Sequence, residues 1–460
     1  MSVIMLIFCA GINVLLCMLV YTSIREKETR AMSYSICVIV LNSVFWGLLM
    51  CYQQSAAAKT IGAAAVILIS LFCTISMIHY FPKSDELRTA NARFEQYDER
   101  DHMFSRNNLQ FHPDIAREYY DKHPELSKID QKIHEKPELG EKGSQFYDSY
   151  LTPVAGAAFK ILAKTRHLVI GDKAEKKRDI DVERFTQTIR EIAHYYGAVD
   201  LGITGLKSYH FYSHAGRHRE DYGKRIESKH RSAIVIIVAM DAKRIKQAPA
   251  VDALLESSRR YVESAKIAHI IAEYIRSFGY DARAHVDSQY EVLCVPLASD
   301  AGLGEVGRIG LLMHPVYGPC VRIAVVTTEL ELTETKGTDY HIRTFCRICK
   351  KCAESCPVGA ISERDKTFSR NFEHFSVRQE SCYSFWKDVG TDCGVCIRVC
   401  PYTKPNTMFH RLARFYVSRN PVNQRIGLLI DNLMYGKRVS WHGLPARENT
   451  AKMAVPLPTA

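Results

Sequence analysis

Three apolar stretches near the N-terminus limit most strongly what this chain can fold into. They run over residues 3–22, 33–52 and 61–81 and carry almost no charge. Each is about twenty residues long, which matches the thickness of the hydrocarbon core of a bilayer. Because lipid offers no hydrogen-bond partner to the backbone, each stretch is predicted to be a helix. A cleaved signal peptide accounts for one such stretch but not for three in succession. We therefore predict an all-α, three-helix transmembrane anchor over residues 1–82.

The loop charges predict how this anchor is oriented. Basic residues are concentrated in the first loop and after the third stretch, at Arg25, Lys27, Arg30, Lys83, Arg88 and Arg93. The second loop offers only Lys59. By the positive-inside rule, the first loop and everything after residue 81 face the cytoplasm. The prediction is a multi-pass protein of the cytoplasmic membrane whose catalytic domain faces the cytoplasm, with the lipid bilayer as a partner.

The net charge of +11 raises the question of nucleic-acid binding. Lysine and arginine are spread along the soluble part, without a dense basic stripe and without interleaved aromatic residues. A nucleic-acid partner needs such a stripe to follow a phosphate backbone. We predict no nucleic-acid partner.

The cysteines are distributed like metal ligands and not like a disulfide framework. Of the fifteen, five lie in the apolar N-terminal stretches, and Cys294 and Cys320 lie in strand-like surroundings, where buried thiols are expected. The other eight fall between Cys346 and Cys400. Such clustering favours a metal site in a reducing compartment.

The spacing of these eight cysteines is that of a ferredoxin-like framework with two 4Fe–4S clusters. The first group is C-x2-C-x2-C-x3-C-P, and in such a run the fourth cysteine binds the other cluster. The predicted ligands of one cluster are Cys346, Cys349, Cys352 and Cys400. Those of the other are Cys356, Cys382, Cys393 and Cys396. Zinc sites built from two CxxC pairs leave the CxxxCP arrangement unexplained.

Between the apolar stretches and these cysteines, the sequence predicts an α/β domain. Residues 83–180 are polar and read as short helices and loops that wrap a core. Beyond them, helices and strands alternate, which is typical of α/β architecture. The predicted helices are 182–196 and 260–278, and the predicted strands are 198–203, 233–240, 292–297 and 320–327.

Several motifs of this region occur in the order known from one enzyme family. An AGLGE run at residues 301–305 continues through Arg308 to GLL at 310–312, and a P-x-Y-G-x2-V-R segment ends at Arg322. Tyr261 precedes IRSFGYDA at 275–282, Phe345 leads directly into the cysteine run, and DNLMYGK occupies 431–437. Over residues 181–441 the chain resembles the corrinoid-dependent reductive dehalogenases. Two departures are Cys320, where the family often has arginine, and Asp287, where it commonly has Asn or Lys.

The resemblance implies a nitroreductase-like α/β core that binds cobalamin, in the base-off form, without a protein ligand below the cobalt. Fed by the two clusters, the reduced cobalt removes halide from an organohalide while a tyrosine supplies the proton. On this reading Tyr261 is the proton donor. Arg322 is the first choice for the cation that stabilises its phenolate, and Arg308 the second. The electron donor is external: a ferredoxin, a flavodoxin or a quinone-linked partner.

Four glycines, Gly302, Gly304, Gly307 and Gly310, are candidate cofactor-binding positions. Without a Cβ they allow turns, and beside a bulky macrocycle they also let the backbone approach closely. The predicted domains are the anchor (1–82), a wrapping region (83–180), the corrinoid-binding catalytic domain (181–342), the ferredoxin-like domain (343–410) and a C-terminal segment (411–460).

Two alternatives to a dehalogenase remain. Epoxyqueuosine reductases use the same cofactors, and there an Asp-Ser pair ahead of an AGLG run supplies the proton. Asp287-Ser288 stands close to that place, although Glu305 and Arg308 replace the Trp and Lys of that family. The other alternative is an iron–sulfur electron-transfer subunit of a membrane complex, which would not need the α/β domain.

Overall fold

The structure is a computed structural model that describes residues 2–52, 54–81, 95–364, 367–369 and 372–439. The basic residues Lys83, Arg88 and Arg93, on which part of the predicted orientation depends, lie outside the described residues. The chain divides into two compact units. The first unit comprises Met1–Asp85, Thr344–Cys349 and Lys404–Trp441, and the second comprises Glu86–Arg343, Lys350–Thr403 and His442–Ala460.

Helices make up most of the described residues, and strands are confined to residues of the second unit. In chain order the helices are α1 (Ser2–Glu26), α2 (Thr29–Cys51), α3 (Ala56–Met77), α4 (Met103–Asn108), α5 (Pro113–Lys122), α6 (Pro124–His134), α7 (Leu151–Lys164), α8 (Val182–Tyr195), α9 (Ala242–Ile245), α10 (Val251–Ser277), α11 (Cys294–Asp300), α12 (Ile342–Cys349), α13 (Lys351–Ser355), α14 (Gln379–Val389), α15 (Val395–Arg398), α16 (Met408–Val417) and α17 (Pro421–Tyr435). The strands are β1 (Asp200–Gly205), β2 (Ser232–Ala239), β3 (Ala282–His285), β4 (Glu305–Val306), β5 (Leu312–Met313), β6 (Val321–Thr328), β7 (Thr367–Ser369) and β8 (Phe372–His374).

In the first unit, the three apolar stretches of the sequence form α1, α2 and α3. Each is long and apolar enough to cross a membrane. Helices α1 and α2 are joined by side-chain hydrogen bonds. Asn42 donates from Nδ2 to Asn13 Oδ1 at 2.9 Å, and Asn13 donates from Nδ2 to Ser43 Oγ at 3.0 Å. In an apolar environment such bonds between helices take the place of the missing hydrophobic driving force.

The second unit is built on a four-stranded sheet of order β1-β2-β6-β3, in which every pairing is antiparallel. Strand β2 is buried on both faces, as its continuous apolar sequence predicts. Its even-numbered residues from Ile234 to Val238 join one apolar core, beneath α10. Its odd-numbered residues from Ala233 to Ile237 join a second core, beneath α11. The alternation of helices and strands therefore indicated the layers but not the direction of the strands.

The prediction of a strand over residues 292–297 is wrong. Residues Cys294–Asp300 form α11, and Val292 makes only an isolated bridge to Phe211. A short apolar run has no periodicity that separates a strand from a buried helix. Here Leu297 and Ala298 are fully buried against the sheet, and helical spacing places both on the packed side. Helix α10 also begins at Val251, well before the predicted residue 260.

The described part of the wrapping region, from residue 95, consists of short helices and loops, as predicted. It is fixed by a buried ion pair. Arg106 donates to Asp130 from Nε at 2.9 Å and from a terminal nitrogen, and it also donates to Glu380 of α14 at 2.7 Å. Helix α7 ends in the main core, where Leu162 packs with α10. This region therefore packs into the second unit and shares its apolar core.

Candidate active site

The second predicted cluster set lies together in the second unit. Cys356, Cys382 and Cys396 belong to one apolar cluster. Burial raises the pKa of the Cys393 thiol, and the neighbouring Cys396, Cys382 and Cys356 raise it further. The backbone N–H of Ala360 donates to Cys356 Sγ at 3.2 Å. Hydrogen bonds of this kind stabilise cluster thiolates and tune the cluster potential.

Left-handed backbone positions the ligand loop. Cys393 has a φ of 53° and Gly394 has a φ of 73°. A left-handed conformation is uncommon for a residue other than glycine, and at Cys393 it marks a constrained turn. The turn is secured by Thr391, which donates from Oγ1 to the Pro249 carbonyl at 2.7 Å and accepts from the Cys393 N–H at 3.2 Å.

Among the described residues, no three His, Cys, Asp or Glu side chains converge as they would around a single metal ion. A cubane does not require such convergence, because its four thiolates bind four different irons. The other predicted set divides between the units. Cys346 and Cys349 belong to the first unit, and Cys352 and Cys400 belong to the second. Their joint ligation stays a prediction.

The structure brings Tyr261 and Arg322 together. The centre of the Arg322 guanidinium lies 4.9 Å from the centroid of the Tyr261 ring. Tyr261 is on α10, one helical turn after Ser257, and Ser257 Oγ accepts from Arg322 at 2.6 Å. Residues four apart lie on the same side of a helix, so α10 presents both side chains to β6. A cation over an aromatic face is an attractive arrangement.

Arg322 lies where β6 extends beyond its neighbouring strand β3. It pairs with Val238 of β2, whereas β3 pairs only with the last four residues of β6. Beyond the end of β3, one side of β6 therefore has no neighbouring strand. Tyr290 occupies this region and donates from its hydroxyl to the Ile323 carbonyl at 3.2 Å.

Asp392 is a site residue that the sequence reasoning missed. Its Oδ2 accepts from Arg322 at 2.9 Å, and the two side chains are only 16% and 13% exposed. Asp392 directly precedes Cys393, so it joins the Tyr261–Arg322 pair to the loop that carries a predicted cluster ligand. A single Asp in a loop has no sequence pattern that marks it, because its partner is seventy residues away.

Asp287 lies in the same region as Tyr261 and Arg322. Burial raises the pKa of its carboxyl, and the charges of Arg217 and Arg322 oppose that shift. Its neighbour Ser288 adopts a left-handed φ of 64° and accepts from Arg217 at 3.0 Å. Arg217, which stacks over Phe104 at 4.9 Å, is a second cation that the sequence reasoning did not single out.

These side chains lie deep in the second unit. Burial is the largest influence on the pKa values of Tyr261, Asp287, Tyr290 and Arg322, yet each of the four keeps some accessible surface. Burial raises the pKa of Tyr261 to about 12, and Arg322 acts in the opposite direction.

Arg308 lies in different surroundings. It is 1% exposed, donates to the carbonyls of Ser362 and Arg364 at 2.8 Å, and stacks over Phe375 at 4.3 Å. Carbonyl acceptors and an aromatic face are the partners of an arginine that supports the fold. Of the two predicted cations, Arg322 lies beside Tyr261, whereas Arg308 packs against Phe375 and two backbone carbonyls; the catalytic role of either arginine stays a prediction.

The predicted glycines approach the chain's own backbone. Gly304 has a φ of 152°, and a Cβ there would lie 2.3 Å from the Met313 carbonyl oxygen. Gly302 has a φ of 75°, with the backbone of Lys336 at 3.0 Å from such a Cβ. Gly307 and Gly310 form a turn closed by a 3.0 Å hydrogen bond. Turn formation and backbone packing explain these glycines, and contact with a macrocycle stays a prediction.

The Arg322–Asp392 pair gives a prediction about stability. Replacing Asp392 with Ala leaves a buried guanidinium without its carboxylate, which typically costs about 3–5 kcal/mol. For a domain of this size, that loss corresponds to a melting temperature lower by roughly 6–15 °C. Asp252→Ala is the matched control, because its ion pair with Arg244 is 35% and 48% exposed and exposed pairs contribute little. Equal melting temperatures for the two variants would contradict the assignment.

Comparisons with known proteins bear on the cysteine domain and on the fold. A family model of the 4Fe–4S dicluster domain matches residues 345–404, which include all eight clustered cysteines. The tetrachloroethene reductive dehalogenase of Desulfitobacterium hafniense is 38% identical over 205 residues, covering 42% of this chain and 37% of that protein. This chain is related to the reductive dehalogenases. The dehalogenase of the same name from Dehalobacter restrictus is 37% identical over the same shares of the two chains.

A solved structure shows that the similarity extends to the fold. It is described as "Reductive dehalogenase structure suggests a mechanism for B12-dependent dehalogenation" and matches with a TM-score of 0.63 and 24% identity. The match covers 77% of this chain and 49% of that one. The predicted resemblance to the reductive dehalogenase family and the two-cluster domain are confirmed. The chain matches only 37% of the length of its curated relatives, so activity and substrate are taken up as proposals.

Proposed function

We propose that this protein is a membrane-anchored reductive dehalogenase that removes halide from an organohalide. The observation that carries the proposal is the Tyr261–Arg322 pair, with its guanidinium 4.9 Å from the ring, tied through Asp392 to the loop of Cys393. A proton donor with its cation, placed next to an electron-transfer cluster, is what a reductive cleavage followed by protonation requires. The net reaction consumes two electrons and one proton and yields the reduced organic product and halide.

Cobalamin, in a nitroreductase-like core, is the cofactor that we propose for this site. Arg322 Nε, Arg217 Nε and Asp392 Oδ1 are buried and have no partner among the described residues. Unpartnered buried donors and acceptors are costly, and the amide groups around a corrin ring can satisfy both kinds. The residues present therefore fit the cofactor. When bound in its reduced state, the cobalt supplies the electrons that break the carbon–halogen bond.

The chain's own residues then hold the proton and deliver it. With its pKa raised to about 12, the Tyr261 phenol stays protonated at neutral pH and delivers its proton only to a strong base. The organic fragment that has lost halide is such a base. Burial lowers the pKa of Arg322, but Tyr261 and Asp392 more than offset this effect, so the guanidinium keeps its charge. That charge stabilises the phenolate left behind.

Metal analysis together with a halide assay tests the proposed function. Anaerobically purified protein is expected to contain one cobalt in a corrinoid and, with two 4Fe–4S clusters, about eight irons per chain. With a strong chemical reductant and a chlorinated ethene or a halogenated phenol, it should release halide. Protein with full iron content but without a corrinoid would favour the electron-transfer subunit. Corrinoid-loaded protein that releases no halide from either substrate class would count against dehalogenation.

The alternative of an epoxyqueuosine reductase is kept because of Asp287. Its carboxyl is close enough to Tyr261 for its charge to raise the pKa of the phenol, and burial raises the pKa of the carboxyl itself. The two readings therefore differ in which of two neighbouring groups gives up the proton. Substitution of each group in turn separates them.

We also propose that the three apolar helices cross the membrane in turn, with the second unit on the cytoplasmic side. A reporter fused after Phe81 should then behave as cytoplasmic, because basic residues flank the first loop and the exit of α3. A reporter fused after Gln54, between α2 and α3, should report the opposite side. The orientation is reversed if the two signals are exchanged, and the multi-pass arrangement is wrong if they coincide.

A further inference from the structure

Helix α16 turns an apolar face outward. Met408, Leu412 and Phe415 are 58%, 41% and 47% exposed. Spacings of four and three residues place all three on one side of the helix. Single exposed apolar residues are ordinary on protein surfaces, but a continuous stripe of them indicates a contact surface.

Helix α17 repeats the pattern. Val422, Leu429 and Leu433 are 55%, 60% and 46% exposed, and they too share one side. Gly427 allows close packing of the two helices, since a Cβ there would lie 2.4 Å from Val417 Cγ1. Helices α16 and α17 thus form a tight pair, called here the C-terminal hairpin, with an apolar stripe on each arm.

The buried side of the hairpin is polar. His410, Asn423 and Gln424 are at most 3% exposed. His410 Nε2 lies 3.1 Å from a carboxylate oxygen of Glu26, and Asn423 donates from Nδ2 to the Ser76 carbonyl at 2.8 Å. A helix that packs on a soluble core has the reverse arrangement, with apolar residues inside and polar residues outside. A helix with polar residues on its buried side and apolar residues on its exposed side is suited to an apolar environment.

These polar contacts hold the hairpin at the ends of two apolar helices. Glu26 is the last residue of α1. At the C-terminal end of α3, Arg419 donates to the Met77 carbonyl at 3.0 Å and Asn420 donates to the Ile78 carbonyl at 3.1 Å. The hairpin therefore satisfies carbonyls that a helix end leaves unpaired. If α1 and α3 cross a membrane, both ends emerge on the same side, and the hairpin lies at that surface.

We propose that the C-terminal hairpin is embedded in the interfacial layer of the bilayer, with its apolar stripes among the acyl chains. The occupant of this surface is lipid, because α1 and α3 fix the hairpin at the depth where apolar chains meet headgroups. Arg411 and Arg425 are exposed on the same faces, where they can meet lipid phosphates. Basic residues beside an apolar face are typical of helices that lie in a membrane surface. The proposal does not depend on dehalogenase activity.

The embedded hairpin has a consequence for electron transfer. Thr344 donates from Oγ1 to Gln424 Oε1 at 3.1 Å, so the segment Thr344–Cys349 is attached to α17. That segment carries Cys346 and Cys349, two predicted ligands of one cluster. A hairpin in the lipid surface places these two ligands near the membrane, where a lipid-soluble electron carrier is available.

Quenching of tryptophan emission by brominated lipid tests the proposal on the full-length chain. One chain per nanodisc is prepared with ordinary or with acyl-brominated phosphatidylcholine. Phe415→Trp on α16 and Leu429→Trp on α17 each add a fluorophore to one stripe. The control is Tyr195→Trp, whose parent side chain is 85% exposed at the end of α8 in the second unit. Iron content identifies any variant that has failed to fold.

We expect the emission added by Phe415→Trp and by Leu429→Trp to fall by more than half in brominated lipid. The emission added by Tyr195→Trp should not change. Unquenched emission from both stripe variants would overturn the proposal. So would stripe emission that shifts to the blue only in a second preparation with two chains per nanodisc, because the surface would then be covered by a second copy of the protein.

Discussion

Replacing Tyr261 with phenylalanine is expected to lower turnover by roughly 100- to 10,000-fold, the usual contribution of a general acid. The substitution keeps the ring, its packing with Phe159 and its contact with the Arg322 guanidinium, and it removes only the hydroxyl group with its proton. Corrinoid and iron contents should therefore remain those of the parent protein. Halide release under single-turnover conditions measures the effect.

Two further variants make this test selective. Tyr274→Phe removes the same atom from the same helix, but Tyr274 stacks on Phe185 at 5.0 Å, in the core. Its turnover should match that of the parent. A dehalogenase should tolerate Asp287→Asn, because the family resemblance implies Asn or Lys at this position. In an epoxyqueuosine reductase the same change should abolish activity. Full activity of Tyr261→Phe combined with none for Asp287→Asn would mean that the chain acts as the latter enzyme.

Exchanging Cys393 for serine is expected to remove about half of the iron and nearly all of the turnover. Cys393 is grouped with Cys356, 37 residues earlier in the chain, and the predicted ligand sets assign Cys400 to the other cluster. The variant should therefore lose about four irons, and the cluster that remains should be the one assigned to Cys346, Cys349, Cys352 and Cys400. Electron paramagnetic resonance of the reduced protein distinguishes one cluster from two, because coupling between the two clusters disappears.

The matched variant is Cys400→Ser, which changes the cysteine of the Cys400-Pro401 motif in the same segment. It should also leave about four irons, but with the spectrum of the cluster that Cys393→Ser destroys. The ligand exchange between the two groups is wrong if both variants leave the same spectrum. Cys320→Ser, at a buried thiol outside the clustered cysteines, should keep all the iron.

The sequence by itself determined the features that depend on local spacing. Apolar stretches of bilayer length specified α1, α2 and α3, because a backbone in lipid can satisfy its hydrogen bonds only within a helix. The CxxCxxCxxxCP spacing specified a two-cluster domain, because ligand geometry restricts which spacings can wrap a cubane. Tyr261 and Arg322 were found from motifs, and the structure places them in contact.

Only the tertiary structure decided which distant groups meet. Asp392 reaches Arg322 because two segments pack together, and Arg308 is drawn to the carbonyls of Ser362 and Arg364 for the same reason. Residues Cys294–Asp300 form α11 and pack against the sheet, an outcome that a short apolar run does not distinguish from a strand. The polar residues on the buried side of the C-terminal hairpin are explained only by the structure, in which their partners are the ends of α1 and α3. Local spacing fixes elements and ligand motifs, whereas long-range packing selects the partners of each charge.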